Sequence, residues 1–309
     1  MIDFLFAAVQ AGTPLLFATT GEIMTEKSGN LNLGVEGMML IGAVFGFLVG
    51  HMTNSPVLAM MVAMMAAGLS GALYAFITVT LRANQVVTGL SLTILGTGIS
   101  GFVGQLLMGE VLSEQFRQFY KPIAIPLLSK VPVIGHVLFN QNIFVYLGYF
   151  VAIVCSIYLA KTRFGLNLRV VGENPAAADA SGINVSLYKY IHIILGGALC
   201  GLGGAYLSLV YVPAWQDNLT SGRGWIAIAL VIFSRWDTKK AIAGAFLFGG
   251  LDIVGFRIQS MNLPVSQYFF DMLPYLITIF VLIGVSMNKH AKNEEPEHLG
   301  VSYFREDRH

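Results

Sequence analysis

Few residues in this chain are equipped for chemistry, and the most telling of them sit inside long apolar runs. Asp252 lies about 18 Å of helix past Lys240, deep in such a run. Gln105 occupies the outer third of an earlier run, Glu36 stands near the start of the second, and Asp271 near the start of the last. A charge in hydrocarbon costs about 2.5–3.5 kcal/mol on insertion scales, so a retained one has work to do. It either lines a path for a hydrophilic solute or hydrogen-bonds one helix to another. Asp252 and Gln105 are the candidates for a solute path. Glu36 and Asp271 lie at run ends, where charge is better tolerated and a structural contact suffices.

No catalytic set can be assembled from what remains. His-Glu-x-x-His, Gly-x-Ser-x-Gly and the paired carboxylates of a proton relay are missing from the sequence. So is Gly-x-x-x-x-Gly-Lys-Ser/Thr, the loop that cradles ATP phosphates. Gly96-Thr97-Gly98-Ile99-Ser100-Gly101 has dinucleotide-loop spacing, but it lies mid-run with no strand before it, so its glycines serve helix packing. Cys155 and Cys200 fall in apolar runs without metal-ligand spacing and read as small core residues; no metal is expected. His192 stands alone near the start of a run and suits a packing or interfacial role. The expectation is a non-enzyme, with no cofactor bound by this chain.

The elements that must position these residues are membrane helices. Hydrophobic residues make up 55% of the 309 and charged residues only 11%, against about 25% charged in soluble domains. Val57–Leu81 and Val86–Gly109 are uncharged, and each exceeds the roughly 20 residues that cross a bilayer. With a net charge of +1 and no basic block, nucleic acid is excluded as a partner. The start, Met1-Ile2-Asp3, lacks a basic n-region, so the first run reads as a retained span.

The expected fold is an all-α polytopic membrane protein of about nine helices (8–10), at 4–21, 34–52, 57–81, 86–109, 143–160, 190–212, about 217–234, 240–258 and 268–287. Placing the N-terminus outside and the C-terminus in the cytoplasm puts 13 of the 18 Lys/Arg on cytoplasmic segments or their edges, as the positive-inside rule requires. Residues 1–288 then form one integral membrane domain, with 110–142 an amphipathic extracellular segment, 161–189 a cytoplasmic loop and 289–309 a cytoplasmic tail. One span is short. Only residues 224–234 separate Arg223 from Arg235, about 16 Å of helix, so either Arg223 reaches the outer edge or the chain near 213–234 re-enters.

The cytoplasmic loop 161–189 contains a signature of its own. Asn174 can cap a helix, Pro175 fits its first position, Ala176 to Ala180 favour helix, and Gly182 supplies the stop before Ile183. A membrane protein that builds a short capped helix on this face presents it to something.

Two stretches carry a resemblance. The first runs from Gly21 to Met39, GEIMTEKSGNLNLGVEGMM, and includes Gly29, Asn30, Asn32, Gly34, Glu36 and Gly37. The second is GENPAAADASGINV, from Gly172 to Val185, and GRGWIAIA from Gly222 to Ala229 also fits. They resemble permease subunits of bacterial ABC importers of the branched-chain amino acid and simple-sugar family, and within it the shorter of two nucleoside-importer permeases. The resemblance implies a multi-pass protein of the bacterial cytoplasmic membrane. Asn174, Pro175, Ala177, Asp179, Gly182 and Ile183 would belong to a coupling helix that enters a groove on a partner ATPase, where ATP-Mg is bound. A second homologous permease and an extracellular substrate-binding lipoprotein would complete the machine, with selectivity resting largely in the binding protein. The implied solute is a nucleoside; a sugar or a branched-chain amino acid is the alternative. An ion-coupled transporter working alone is the reading from another class, and it leaves the capped helix without a purpose.

Overall fold

In a bilayer, helices meet through small residues and turn their bulky apolar ones toward lipid. That inverted pattern organises the computed structural model, which describes residues 2–260 (side chains to 255), 272–273, 275–280, 283 and 295–306. Helix α1 (Ile2–Glu26) is buried over most of its length and packs chiefly against later helices in the second half of the chain. Helix α2 (Val35–Thr53) follows an eight-residue irregular loop. Helix α3 (Pro56–Ala75) continues as a π-helical turn through Thr80, and α4 covers Gln85–Gly104. On α3, Met61, Met65 and Leu69 face outward while Ala59, Ala63 and Ala67 are buried. On α4 the exposed residues include Val87, Ile94 and Phe102, and the buried face carries Gly89, Gly96, Ser100 and Gly104.

The segment 110–142 folds as α5 (Glu114–Gln118), a two-residue antiparallel pair β1 (Ile123–Ala124) and β2 (Asn140–Gln141), and α6 (Ile134–Phe139) between them. Phe116 and Tyr120 anchor it to the bundle, with the Tyr120 ring 5.5 Å from Phe144. Then come α7 (Ile143–Lys161), α8 (Arg163–Glu173), α9 (Pro175–Ala180), α10 (Val185–Tyr206, extended by a π-helical turn to Tyr211), α11 (Arg223–Ser234) and α12 (Thr238–Ser260). Gly42 of α2 lies so close to the Gly201 backbone of α10 that a Cβ at Gly42 would overlap it. Glycines thus let two helices of the same chain meet backbone to backbone at this crossing.

Six helices among the described residues are long and apolar enough to cross a membrane: Ile2–Glu26, Val35–Thr53, Pro56–Thr80, Gln85–Leu107, Ile143–Lys161 and Val185–Tyr211. Three expectations change in detail. The span expected near 217–234 is a helix of only 12 residues, about 18 Å, preceded by irregular chain. The polar loop holds two helices, not one: α8 has a buried stripe of Leu168 and Val171 that the sequence reading passed over. Lys189, expected in the loop, is buried a turn into α10. Most of the expected span 268–287, and Asp271 within it, lie outside the described residues.

Candidate functional site

The loop between α1 and α2 is held by buried polar groups. Glu22 is fully buried, and its carboxylate accepts the Asn32 backbone N–H at 3.1 Å and the Asn32 side-chain amide at 3.2 Å. Asn32 Oδ1 in turn accepts the Gly34 N–H at 2.9 Å, which turns the chain into α2. Leu31 is held on both sides, its N–H by Gln85 Oε1 of α4 at 2.7 Å and its carbonyl by Tyr74 of α3 at 2.6 Å. Gly37 and Gly96 meet backbone to backbone, joining α2 to α4. Gly29 adopts φ +83°, and Asn30 is buried beside it. The motif residues therefore tie α1, α2, α3 and α4 together at one end of the bundle.

Glu36, at the start of α2, holds the start of another helix. Its carboxylate accepts the Thr220 hydroxyl at 2.5 Å, the Gly222 N–H at 2.8 Å and the Gly224 N–H at 2.6 Å. A short helix leaves its first N–H groups unpaired and carries partial positive charge there, so a buried carboxylate is the fitting cap. The Glu36 cap fixes where the half-length helix α11 begins. At the far end of α11 the Trp236 indole donates to Glu26 of α1.

Beside that cap stands the ion pair Arg223–Asp252, with Nη2 to Oδ2 at 2.7 Å. The Arg223 side chain keeps only 13% of its surface, so it is packed against the bundle. Its guanidinium is 5.9 Å from the Tyr211 ring, and it borders a cavity of about 170 Å³ lined also by Gln216, Asn218 and Ser221. Gln105 is exposed at the end of α4, and it is Arg223 that partners Asp252. Sequence reasoning missed Arg223 as that partner. The signal was available, since charges inside apolar runs pair with one another. His192 is buried, bonded to the Tyr158 hydroxyl at 2.8 Å and to the Tyr188 carbonyl at 2.6 Å, as a packing role requires.

The second surface is the loop at the opposite sequence landmark. Asn174 Oδ1 accepts the Ala177 N–H at 2.9 Å, and Pro175 occupies the first turn of α9. The helix ends in a Schellman arrangement: Gly182 at φ +81° donates to Asp179, and Ile183 donates to Ala178 at 3.0 Å. Asn184 then caps α10 through Leu187 N–H at 3.0 Å. Pro175 and Ala178 face inward, while Ala176, Ala177, Ala180, Ser181 and Gly182 are exposed. Asp179 is engaged by Tyr303 and Arg305 of the C-terminal segment. A short helix locked at both ends, showing only small side chains, is shaped to seat in a groove.

Over residues 4–282 the chain matches the family described as "Branched-chain amino acid transport system / permease component". It belongs to that family. It is 37% identical to a chain of Haloferax volcanii, provisionally named a glucose ABC transporter permease protein, with 97% of each chain covered. It is 36% identical to the nucleoside ABC transporter permease protein NupC of Lactococcus lactis, covering 95% of this chain and 94% of that one. The guanosine ABC transporter permease protein NupQ of Bacillus subtilis is 30% identical, over 97% and 95%. A solved ABC transporter, provisionally of the metal-chelate type and inward-facing, shares the fold at TM-score 0.52, covering 93% of this chain and 85% of its own, at 17% identity. The protein is a multi-pass membrane permease of an ABC importer.

Proposed function

We propose that this permease carries a nucleoside, and that a partner ATPase drives it through α9. The observation that carries the coupling is the geometry of α9: capped by Asn174, stopped by Gly182, and open on its Ala177 side. ATP-Mg binds the partner, whose motion α9 converts into rigid-body repacking of the bundle. A second permease and an extracellular binding protein complete the importer. In this reading nine helices span the membrane, the N-terminus and residues 110–142 face outside, and the tail faces the cytoplasm. The irregular chain before α11 re-enters beside Glu36, and Asp252 with Arg223 borders the solute path. The mutual neutralisation of Arg223 and Asp252 suits an uncharged polar solute, and it deprives Asp252 of the solitary state a proton carrier needs.

The nucleoside assignment draws on NupC and NupQ; the Haloferax relative favours a sugar as the second reading. Proteoliposomes holding both permeases, the ATPase and the binding protein decide between them. ATP-dependent uptake of labelled guanosine or uridine, with glucose excluded, is expected. Glucose uptake without nucleoside uptake would leave the importer standing and overturn the solute. Uptake of either that persists without ATP would overturn the mechanism.

A further inference from the structure

Residues 295–306 lie across the end of α8, the loop between α1 and α2, helix α9 and the turn between α3 and α4. His298 N–H donates to the Gly172 carbonyl at 3.0 Å, and Gly300 N–H to the Gly29 carbonyl at 3.3 Å. Glu297 N–H donates to Glu173 Oε2 at 3.1 Å. Further along, the Tyr303 hydroxyl and the Arg305 guanidinium converge on one oxygen of Asp179, at 3.0 and 2.9 Å. The Phe304 ring lies 3.5 Å from the guanidinium carbon of Arg82, in the turn between α3 and α4. Tyr303 also packs on the small apolar cluster of Val171, Ala178 and Val185.

These contacts fall on the side of α9 away from its open face. Ala176, Ala177, Ala180 and Ser181 stay exposed with the segment in place, so it braces the helix without covering it. It also joins α9 to the Gly29 loop, which Glu22–Asn32 and Gln85–Leu31 fasten to α1 and α4. An isolated six-residue helix is too short to hold its own shape in water, so force applied to it needs lateral support to reach the bundle. We propose that residues 295–306 are a strap that clamps the coupling helix to the Gly29 loop and transmits ATPase motion into the bundle. Tyr303, Phe304 and Arg305 are its positioning residues. The proposal rests on the reading of α9 as the ATPase contact.

The test uses the assembled importer in nanodiscs, reading ATPase retained on purification separately from solute-stimulated ATP hydrolysis. Truncation after residue 294 should leave the ATPase bound and abolish most of the stimulation. Arg305→Glu, which replaces an attraction to Asp179 by a repulsion, should lower stimulation about fivefold, and Arg305→Lys should restore most of it. Phe304→Ala, which removes the Arg82 contact, should give an independent partial loss. Stimulation that is unchanged or raised in the truncated chain would overturn the strap. An unaltered chain that never retains ATPase would instead sink the coupling reading beneath it.

Discussion

Glu36→Gln probes how the half-length helix α11 is held. The glutamate accepts from two backbone N–H groups and one hydroxyl, and only 5% of its surface is exposed. Glutamine keeps one acceptor oxygen and turns an NH2 toward either Gly224 or the Thr220–Gly222 pair. At least one buried N–H then faces another donor, a loss of about 1–3 kcal/mol. The remaining bonds lose their charge assistance, and the helix N-terminus loses its counter-charge, about 0.3–1 kcal/mol more. The sum is about 3 kcal/mol, or roughly a 100-fold shift in the unfolding equilibrium. Unfolding in mixed detergent micelles, followed through the fluorescence of Trp215, Trp225 and Trp236, reads this directly. Hydrogen exchange should show the first turn of α11 opening before its last. A variant within about 0.5 kcal/mol of the unaltered protein would refute the cap.

Asp252→Asn leaves Arg223 without its counter-charge and should lower transport more than it lowers the amount of folded protein in the membrane; full transport would make the pair purely structural. Single cysteines at Ser181 and Ser129, in a background lacking Cys155 and Cys200, should label from opposite sides, and labelling of both from outside would overturn the orientation. A fourth prediction concerns pH. Burial and the nearby Lys189 charge hold the His298 imidazole below its ordinary value of 6.5, so the released strap binds a proton more readily than the docked one. Strap docking should be complete above about pH 6.5 and weaken as pH falls through it. Spin labels at Val301 and Ser186 would report this as a lengthening distance, which His298→Gln should make insensitive to pH.

What the sequence reveals here is what is local. Apolar runs longer than a bilayer announce α1 to α4, α7 and α10, because each such helix satisfies its own backbone within itself. The α9 caps are legible for the same reason: Asn174 acts on a residue three positions on, and Gly182 on its own φ. Contacts across the sequence leave no such mark. Glu36 reaches Gly222 and Gly224, and Arg223 reaches Asp252, only once the bundle is assembled. Counting Lys/Arg along the chain says nothing of the Arg223–Asp252 pair, because a charge count cannot see a partner distant in sequence. Helix α8 was hidden because Arg163, Asn167 and Arg169 mask its buried Leu168 and Val171. Residues 295–306 read as polar tail, because the groups that seat them, among them Asp179, Gly172 and Gly29, are distant in sequence.

The coupling claim is tested most directly by Ala177→Arg on α9, with co-purification of the ATPase as the readout. Ala177 is exposed and its N–H, not its methyl, serves the Asn174 cap, so the substitution spares the helix and blocks only the seat it offers. The variant should insert normally into the membrane and lose its ATPase, with solute-stimulated hydrolysis and uptake falling together. A variant that kept the ATPase bound and transported normally would contradict the assignment of α9 as the coupling helix.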